Sequence, residues 1–382
     1  MAELFQPTTI KSMTVPNRSV RSATWEGLAG THGEATQALI DCQIGLAAGG
    51  IGLIISGHTY VSDEGKAGSW QLGAYSDHLL PCLTKMTEAV HREGGKIAMQ
   101  LAHAGCRAAS HLSGKTPIGP SEITQDGKPI CREMNKQDLD HVRTAFAQAA
   151  GRAKKAGFDG VQIHGAHGYL LTQFLCPVFN KRTDQYGGSI ENRGRFALEV
   201  YQAVRQTVGD DFPVMIKINS EDFLENGMTM DEMLYLSGML EKAGIDAIEL
   251  SGGTFYSSPY LPSRTARIKR ETDEVYYKNA AIRYKQAINI PLMLVGGIRS
   301  YNVSEQLIRD GLTDFVAFCR PLIREPGLIN RWKSGDHARS NCLSDNACFR
   351  PAFKGKGIYC VTKERQEKKS KEGSKSITSP DT

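Results

Sequence analysis

Two histidines and a tyrosine fall within one short stretch, His164-Gly165-Ala166-His167-Gly168-Tyr169. Imidazole nitrogens that point at one spot can hold an anionic or carbonyl oxygen, and a phenol beside them can donate a proton. The histidines could also bind a metal, although no carboxylate or thiol accompanies them at ligand spacing, or be satisfied by local backbone. We favour His164 and His167 as oxygen-binding groups and Tyr169 as the proton donor.

Two further polar side chains stand in apolar runs that are typical of strands. Gln100 follows such a run, and its amide can both donate to and accept from a heterocyclic ring. Lys217 lies inside another run, where an unpaired charge would be very costly. It therefore needs an anionic partner, which is either a bound ligand or a salt bridge to Glu249 or Glu221.

Glycine-rich and arginine-containing turns follow the last apolar runs of the chain. Gly296 and Gly297 would let backbone N–H groups approach a phosphate, and Arg320, after Cys319, can add a charged fork. Ser251-Gly252-Gly253 offers a third turn of this kind. The sequence therefore predicts a phosphate site, without saying which phosphate.

The elements that must position these residues alternate along the chain. Eight short apolar runs predict strands at 19–23, 51–56, 96–101, 160–163, 214–219, 247–251, 291–295 and 315–319. Amphipathic segments predict helices at 36–48, 79–93, 136–156, 191–208, 229–243, 276–286 and 303–309. Glycines after four of these helices, at Gly49-Gly50, Gly157, Gly244 and Gly311, are typical of helix ends.

Eight repeated βα units close most economically as a single (βα)8 TIM barrel in the α/β class. A doubly wound open sheet is the alternative, but 22–26, after the first strand, lacks its usual glycine-rich turn. The long connections 104–135 and 252–273 both follow strands, so both should lie at the catalytic face of the barrel. We expect the barrel with an N-terminal capping segment over 1–335, a short C-terminal, cysteine-containing extension over 336–362 and a disordered, charged tail over 363–382.

Composition narrows the class of protein. The chain has 382 residues, 40% hydrophobic and 23% charged, and its net charge of +5 is concentrated in the tail, so we expect no nucleic-acid partner. The sequence shows neither a signal peptide nor an apolar run long enough to span a membrane, and a cytoplasmic protein is predicted. Its nine cysteines should then be mostly reduced, which makes disulfides a poor explanation and a metal or cluster site the one to test.

Over roughly residues 3–330 the chain resembles the Old Yellow Enzyme family of NAD(P)H:flavin oxidoreductases. The resemblance rests on Leu4-Phe5-x-Pro7 with Asn17-Arg18, Gln100 to Gly105, His164 to Tyr169, Asn180 to Arg193, Val295-Gly-Gly and Arg320-Pro321. The histidine stretch and the Arg-Thr-Asp-x-Tyr-Gly-Gly-Ser-x-Glu-Asn-Arg stretch are the most specific of these.

The resemblance implies a barrel that binds FMN non-covalently and uses NAD(P)H or a small redox protein as electron donor. Gln100 would contact the pyrimidine edge, Lys217 would take the place of a flavin-contacting basic residue, and Gly297 with Arg320 would hold the phosphate. After hydride from flavin N5 attacks the β-carbon of a substrate whose carbonyl His164 and His167 grip, Tyr169 would protonate the α-carbon. The remaining predicted FMN-binding residues are Ala23, Thr24, Trp25, Gly57, His58, Gly252, Gly253, Gly296 and Cys319. Where some relatives have Cys or Thr beside the flavin, this chain has Thr24 or Trp25.

The last cysteines resemble the cluster-binding segment of the longer, 2,4-dienoyl-CoA reductase-like branch. Cys342, Cys348 and Cys360 match three ligand positions of a [4Fe–4S] cluster, and Asp345 stands at the fourth. An iron–sulfur cluster, a zinc ion and a degenerate segment that acts only as a structural flap all remain open.

The function expected is that of an FMN-dependent ene-reductase acting on an α,β-unsaturated carbonyl, either an enone, an enoate or a thioester. One alternative is a flavin-dependent dehydrogenase or demethylase working in the oxidising direction. Another is a flavin-binding redox subunit or sensor without turnover, which would not need Tyr169. A homo-oligomer and an external redox partner are both compatible with the sequence.

Overall fold

The computed structural model describes residues 3–265 and 268–376. The predicted tail therefore lies partly outside the described residues, at 377–382. The strands in chain order are β1 (Thr8–Ile10), β2 (Met13–Val15), β3 (Ser19–Arg21), β4 (Leu53–Ile55), β5 (Thr59–Tyr60), β6 (Ile97–Ala102), β7 (Ile118–Gly119), β8 (Ile123–Gln125), β9 (Lys128–Glu133), β10 (Gly160–Gly165), β11 (Val214–Asn219), β12 (Ala247–Ser251), β13 (Leu292–Leu294) and β14 (Phe315–Phe318).

The helices surround these strands. They are α1 (Gln37–Ala48), α2 (Leu80–Arg92), α3 (Ser110–Ser113), α4 (Lys136–Lys155), α5 (Leu170–Leu175), α6 (Ile190–Val208), α7 (Met230–Ala243), α8 (Lys278–Ala287), α9 (Tyr301–Arg309), α10 (Arg320–Arg324), α11 (Leu328–Lys333), α12 (Phe349–Ala352) and α13 (Val361–Ser376). Caps fix several boundaries: Asn135 and Asp138 form a capping box at the start of α4, and Ser189 caps α6.

Eight parallel strands close into a barrel, which confirms the predicted fold. The order is β10, β11, β12, β13, β14, β3, β4 and β6, and β6 pairs with β10 to close the cylinder. All eight predicted strands are present. The expected helix-ending glycines Gly50, Gly157, Gly244 and Gly311 all have positive φ, which relieves the steric penalty a side chain would meet there.

Apolar side chains fill the cylinder in one cluster and the helix–sheet interface in another. The inner cluster includes Leu53, Met215 and Phe315 from the barrel strands. Ile10 and Met13 from the β1–β2 hairpin belong to the same cluster, so the hairpin covers one end of the cylinder. The site is therefore expected at the opposite end, where the carboxyl ends of the strands lie.

The structure differs from two expectations at the periphery. A disordered, charged tail is expected from residue 363 onwards, and the structure gives α13 over Val361–Ser376, a segment with several good helix formers in which Glu364 pairs with Lys368 one turn later at 2.6 Å. Disulfides were judged a poor explanation for the cysteines, yet Cys106 and Cys131 are bonded. The connection after β6 folds back on itself and brings their Cα atoms within 5.1 Å. The other seven cysteines are free.

No helix in the described part of the chain combines the length and apolar character that a membrane span requires.

Candidate active site

A cavity of about 680 Å³ opens at the carboxyl ends of the barrel strands. This volume lies within the ~300–1,000 Å³ that small-molecule sites occupy. The predicted site residues that line it are Ala23, Thr24, Trp25, His58, Gln100, His164, His167, Tyr169, Lys217, Gly296, Gly297, Cys319 and Arg320. The barrel therefore brings most of the predicted residues together, although they come from positions almost 300 residues apart in the chain.

The two histidines and the tyrosine form one aromatic group at the end of β10. The ring centroid of His164 lies 5.3 Å from that of His167 and 5.2 Å from that of Tyr169. His167 has a positive φ of 68°, which turns the chain sharply so that three close residues can face one cavity. His58 stacks on Tyr169 from the other side, with a centroid distance of 5.5 Å.

Ser251 holds His167 in place. Its Oγ lies 2.8 Å from His167 Nε2, and Asn219 Oδ1 accepts a hydrogen bond from the His167 backbone N–H at 3.2 Å. These contacts come from the ends of β12 and β11 and restrict rotation of the ring. His164 differs, because its Nδ1 is buried and has no hydrogen-bond partner among the described residues. Such an atom is costly unless a ligand or a water satisfies it.

Burial keeps both histidines neutral. It lowers the pKa of His164 and of His167 well below the ordinary value, and for both the nearby charge of Lys217 adds to the effect. Burial also raises the pKa of Tyr169 to about 12, against the opposing influence of Arg107. The group thus presents neutral imidazoles and a protonated phenol at neutral pH, which are hydrogen-bond donors without net charge.

Lys217 lines the cavity and also forms a salt bridge with Glu249, one of the two partners considered from the sequence. Its Nζ lies 3.0 Å from Glu249 Oε1 and donates to Ser22 Oγ at 2.8 Å. The partner is Glu249 rather than Glu221 because residues 217 and 249 share one register position on neighbouring strands. The sequence left open whether Lys217 meets a bound ligand or forms a salt bridge. The two are compatible, because Lys217 is ion-paired with Glu249 and also lies in the cavity wall.

A buried chain of amides extends from this ion pair across the barrel. Gln162 Nε2 donates to Glu249 Oε2 at 2.8 Å, and Gln100 Nε2 donates to Gln162 Oε1 at 2.7 Å. These bonds fix the orientation of the Gln100 amide at the cavity wall. A ring with polar edges can therefore meet Gln100 and Lys217 at positions that the barrel holds rigidly.

The predicted phosphate turns lie at the other part of the cavity, where arginines converge. Arg320 Nη1 donates to Asn346 Oδ1 at 2.8 Å and to the carbonyl oxygen of Ser344 at 3.2 Å. Arg299 also lines the cavity and donates to the carbonyl oxygen of Cys342 and to Ser344 Oγ. Burial lowers the pKa of Arg299, and the charge of the neighbouring Arg320 adds a smaller effect in the same direction, against the opposing influence of Cys342, Tyr276 and Glu274.

Part of the cavity wall was missed by the sequence analysis. The extension after residue 336 supplies Ser344, Asn346, Phe349, Arg350 and Phe353 to the lining. Phe353 packs on Trp25 with a centroid distance of 5.1 Å, and the backbone N–H of Ile358 donates to the carbonyl oxygen of Glu26. The missed residues from the barrel itself include Arg107, Phe255 and Tyr276. In the sequence, only position connects such residues with the site: Phe255 lies in the long connection after strand six, and Tyr276 lies next to it.

Three predicted cofactor-binding glycines lie outside the cavity lining. The backbone N–H of Gly57 donates to Glu26 Oε1, and a Cβ at Gly57 would collide with the Glu26 carboxylate. Gly252 packs against Tyr277 and Phe223, and a Cβ at Gly253 would strike the carbonyl oxygen of Tyr260. These glycines allow close packing of the chain rather than access for a ligand.

The predicted metal ligands do not converge. No group of three or more His, Cys, Asp or Glu side chains in 3–265 and 268–376 has an arrangement that could hold a metal ion. Asp345 instead accepts hydrogen bonds from Thr362 Oγ1 at 2.7 Å and from the Ala347 backbone N–H, while Cys360 Sγ contacts Arg324 and the Lys363 N–H. Burial raises the pKa of Cys348 to about 12, and it also raises the pKa of Cys342 above its ordinary value. As the structure places them in the described part of the chain, these residues do not fit an iron–sulfur cluster.

FMN, by contrast, fits the residues present. Arginines and paired glycines stand where a phosphate would bind, Gln100 and Lys217 face the same space, and His164 has an unsatisfied buried nitrogen. A Cβ at Gly297 would lie 2.6 Å from the Tyr276 ring, so only glycine keeps this turn as close as it is.

Comparisons with known proteins agree with the geometry. The chain is 36% identical over 354 residues to an NADH oxidase of Thermoanaerobacter brockii, matching 90% of this chain and 52% of that protein. It is 35% identical over 325 residues to an NADPH dehydrogenase of Halalkalibacterium halodurans, covering 85% and 92% of the two chains. The solved structure of a 2-naphthoyl-CoA reductase in complex with 2-naphthoyl-CoA superimposes with a TM-score of 0.86 at 29% identity, covering 94% of this chain and 56% of that one.

The chain thus spans about half the length of some of these relatives and nearly the whole length of another. The family model for NADH:flavin oxidoreductases and NADH oxidases matches residues 3–338, which include every barrel strand and all of the histidine and tyrosine residues described above. A family that uses FMN and NAD(P)H accounts for the barrel, the cationic turns and the neutral hydrogen-bond donors together. The chain therefore belongs to the NADH:flavin oxidoreductase family, which is the Old Yellow Enzyme family.

Proposed function

We propose that the chain is an FMN-dependent ene-reductase that reduces the carbon–carbon double bond of an α,β-unsaturated carbonyl compound at the expense of NAD(P)H. The observation that carries the proposal is the convergence of His164, His167 and Tyr169 on one cavity wall, all of them neutral. A protein that only binds flavin would have no need for a phenol beside two such donors.

Holding the substrate is the task of the two imidazoles. Neutral N–H groups can donate to the carbonyl oxygen, where negative charge develops as a nucleophile adds to the β-carbon. Ser251 and Asn219 keep His167 from rotating, so the donor is oriented before the substrate arrives. Burial keeps the two rings from taking up a second proton. Uncharged rings do not attract water or anions into the site as imidazolium groups would.

Supplying the proton is the task of Tyr169. Its raised pKa keeps the Oη proton in place at neutral pH, so the phenol is ready to protonate the α-carbon. The rings of His58 and Phe255 pack on Tyr169 at 5.5 and 5.6 Å and limit its movement. When bound, reduced FMN supplies the hydride.

Anaerobic turnover with the FMN-loaded protein tests this function. We expect the flavin to be bleached by NADH or NADPH and to recover its colour when 2-cyclohexenone is added, with cyclohexanone as the product. Flavin that is reduced but never reoxidised by the enone would contradict the proposal and favour a redox subunit. If the enone leaves the flavin reduced but oxygen admitted afterwards reoxidises it, the result would indicate an oxidase.

A further inference from the structure

Arg107 stands beside the proposed catalytic group at the edge of the cavity. It ends a short 3-10 helix, Gly105–Arg107, that follows β6, and its side chain is part of the cavity lining. The carbon at the centre of its guanidinium lies 4.0 Å from the ring centroid of Phe255, and Nη1 donates to Tyr256 Oη at 3.3 Å. Phe255 in turn packs edge-on against Tyr169 at 5.6 Å. Arg107 is therefore separated from the proton donor by a single aromatic ring.

Within residues 3–265 and 268–376, no carboxylate forms an ion pair with Arg107. Its contacts in the described part of the chain are with aromatic residues, and none is with Asp or Glu. Among the described residues that line the cavity, none is acidic at all. Lys217, by comparison, is neutralised by Glu249, and Arg320 is bonded to Asn346 and two carbonyl oxygens at the phosphate end.

Stacking leaves the hydrogen-bonding edge of this guanidinium available. Arginine stays charged at every physiological pH, and when its face lies on an aromatic ring its N–H groups still point outwards in the plane. A planar fork of this kind matches a carboxylate, which it can bind through two parallel hydrogen bonds. Arg107 is thus a half-buried cation, one ring from the reacting group, without a counterion among the residues that the structure describes, and an anion that arrives with the substrate explains this arrangement.

We infer that Arg107 binds a carboxylate of the substrate, so that the preferred substrates are unsaturated carbonyl compounds carrying a separate acidic group a few bonds from the reacting double bond. The inference rests on the proposed function and names its substrate class. A carboxylate is favoured over the phosphates of an acyl-CoA thioester, because the long pantetheine arm would carry those phosphates much further than one aromatic ring from Tyr169.

A matched pair of substrates tests the inference. The probes are 2-cyclohexenone with a carboxymethyl group at ring carbon 4 and the methyl ester of the same compound. We expect wild-type protein to favour the acid over the ester in kcat/KM by about tenfold to 100-fold, as a charge-assisted hydrogen bond would. In Arg107→Met this ratio should fall to near one, and in Arg107→Lys it should be intermediate. An acid-to-ester ratio that is the same in wild type and Arg107→Met would overturn the inference.

Failure of the inference and failure of the proposed function have different signatures. If wild type reduces the ester but shows no preference for the acid, Arg107 has no such role and the ene-reductase function stands. If no enone is reduced at all, calorimetric titration of the FMN-loaded protein with the saturated keto acid still measures the site. Binding should weaken about tenfold or more in Arg107→Met and remain as in wild type in Arg309→Met, which removes an exposed arginine of α9. Equal binding to the Arg107→Met protein would contradict the inference even then.

Discussion

Lys217 and Glu249 form an ion pair of 3.0 Å inside the barrel, at directly neighbouring register positions of β11 and β12. Both side chains are almost fully buried, and Ser22 and Gln162 complete their hydrogen bonds. A buried pair of this kind gains little over apolar residues, but each partner depends strongly on the other. The pair also fixes a positive charge at the cavity wall, where a flavin would meet it.

Removing both partners should destabilise the protein less than the sum of the two single removals. We expect Glu249→Gln to lower the free energy of unfolding by about 3–5 kcal/mol, because it leaves the Lys217 ammonium buried without a counter-charge. The double variant Lys217→Met, Glu249→Gln should lose clearly less than the sum of the two single losses. Urea unfolding of the three variants measures this, and strictly additive losses would show that the two charges do not depend on each other.

Replacing Tyr169 by phenylalanine should separate the two half-reactions. Because only the phenolic hydroxyl group is removed, reduction of the flavin by NAD(P)H should continue, while enone reduction should slow by about 10²–10⁴-fold. Stopped-flow absorbance of the flavin follows each half-reaction separately. Tyr235→Phe, which alters an exposed tyrosine, is the matched control. Normal enone turnover by Tyr169→Phe would rule out the proton-donor role.

Each of the two histidines should be needed to hold the carbonyl oxygen. We expect His164→Ala and His167→Ala each to lower kcat/KM for an enone by about 10²–10³-fold, with a double variant that falls short of the product of the two effects. Ser251→Ala should give a smaller loss, since it only frees the His167 ring. A Ser251→Ala variant that is worse than His167→Ala would contradict this order of roles.

Buried histidines should make the protein less stable in mild acid. Burial lowers the pKa of His58 and of His103 to about 4, and those of His164 and His167 also lie well below the ordinary value. The unfolded chain therefore takes up protons below about pH 6.5 that the folded chain refuses, so stability falls as the pH falls from 6.5 towards 4.

The size of this effect can be measured at one residue. His103→Gln should make the pH dependence of the free energy of unfolding shallower by about 1.4 kcal/mol per pH unit between about pH 6 and pH 5, because one proton fewer distinguishes the two states. Urea unfolding at several pH values provides the measurement. The same slope in variant and wild type would mean that His103 is protonated in the folded protein.

Contacts of the extension should be needed for tight FMN binding. Phe353→Ala removes the ring that packs on Trp25 at the cavity, and Asn346→Ala removes an acceptor of Arg320. We expect the dissociation constant of FMN to rise by about tenfold or more in each, for a loss of about 1.4 kcal/mol or more. Leu343→Ala changes an exposed residue of the same segment and should bind FMN like wild type. Flavin fluorescence titration reports the result.

The barrel could be predicted because its signals are local. Each strand is a short apolar run, and each glycine that ends a helix is read directly from the chain, so α4 was expected at 136–156 and is found at Lys136–Lys155. The histidines and Tyr169 could be placed for the same reason, since the end of a barrel strand leads to the catalytic face. The exact partner of Lys217 could not, because two carboxylates were available and only the strand register distinguishes them.

Contacts between distant segments explain the rest. Nothing in 336–362 alternates like a strand or repeats like a long helix, so its packing on Trp25 and Arg299 left no trace in the sequence pattern. The same holds for Cys106 and Cys131, whose proximity depends on how the connection after β6 folds back. The cluster ligands were inferred from a resemblance to the cluster-binding segment of longer relatives, and that resemblance does not show that Thr362 donates a hydrogen bond to Asp345.

Contact between Trp25 and Phe353 also constrains how the protein is made. Trp25 follows the first barrel strand β3, whereas Phe353 comes more than 300 residues later, after the last barrel strand β14. The extension can therefore complete this wall of the cavity only after all eight barrel strands have been synthesised.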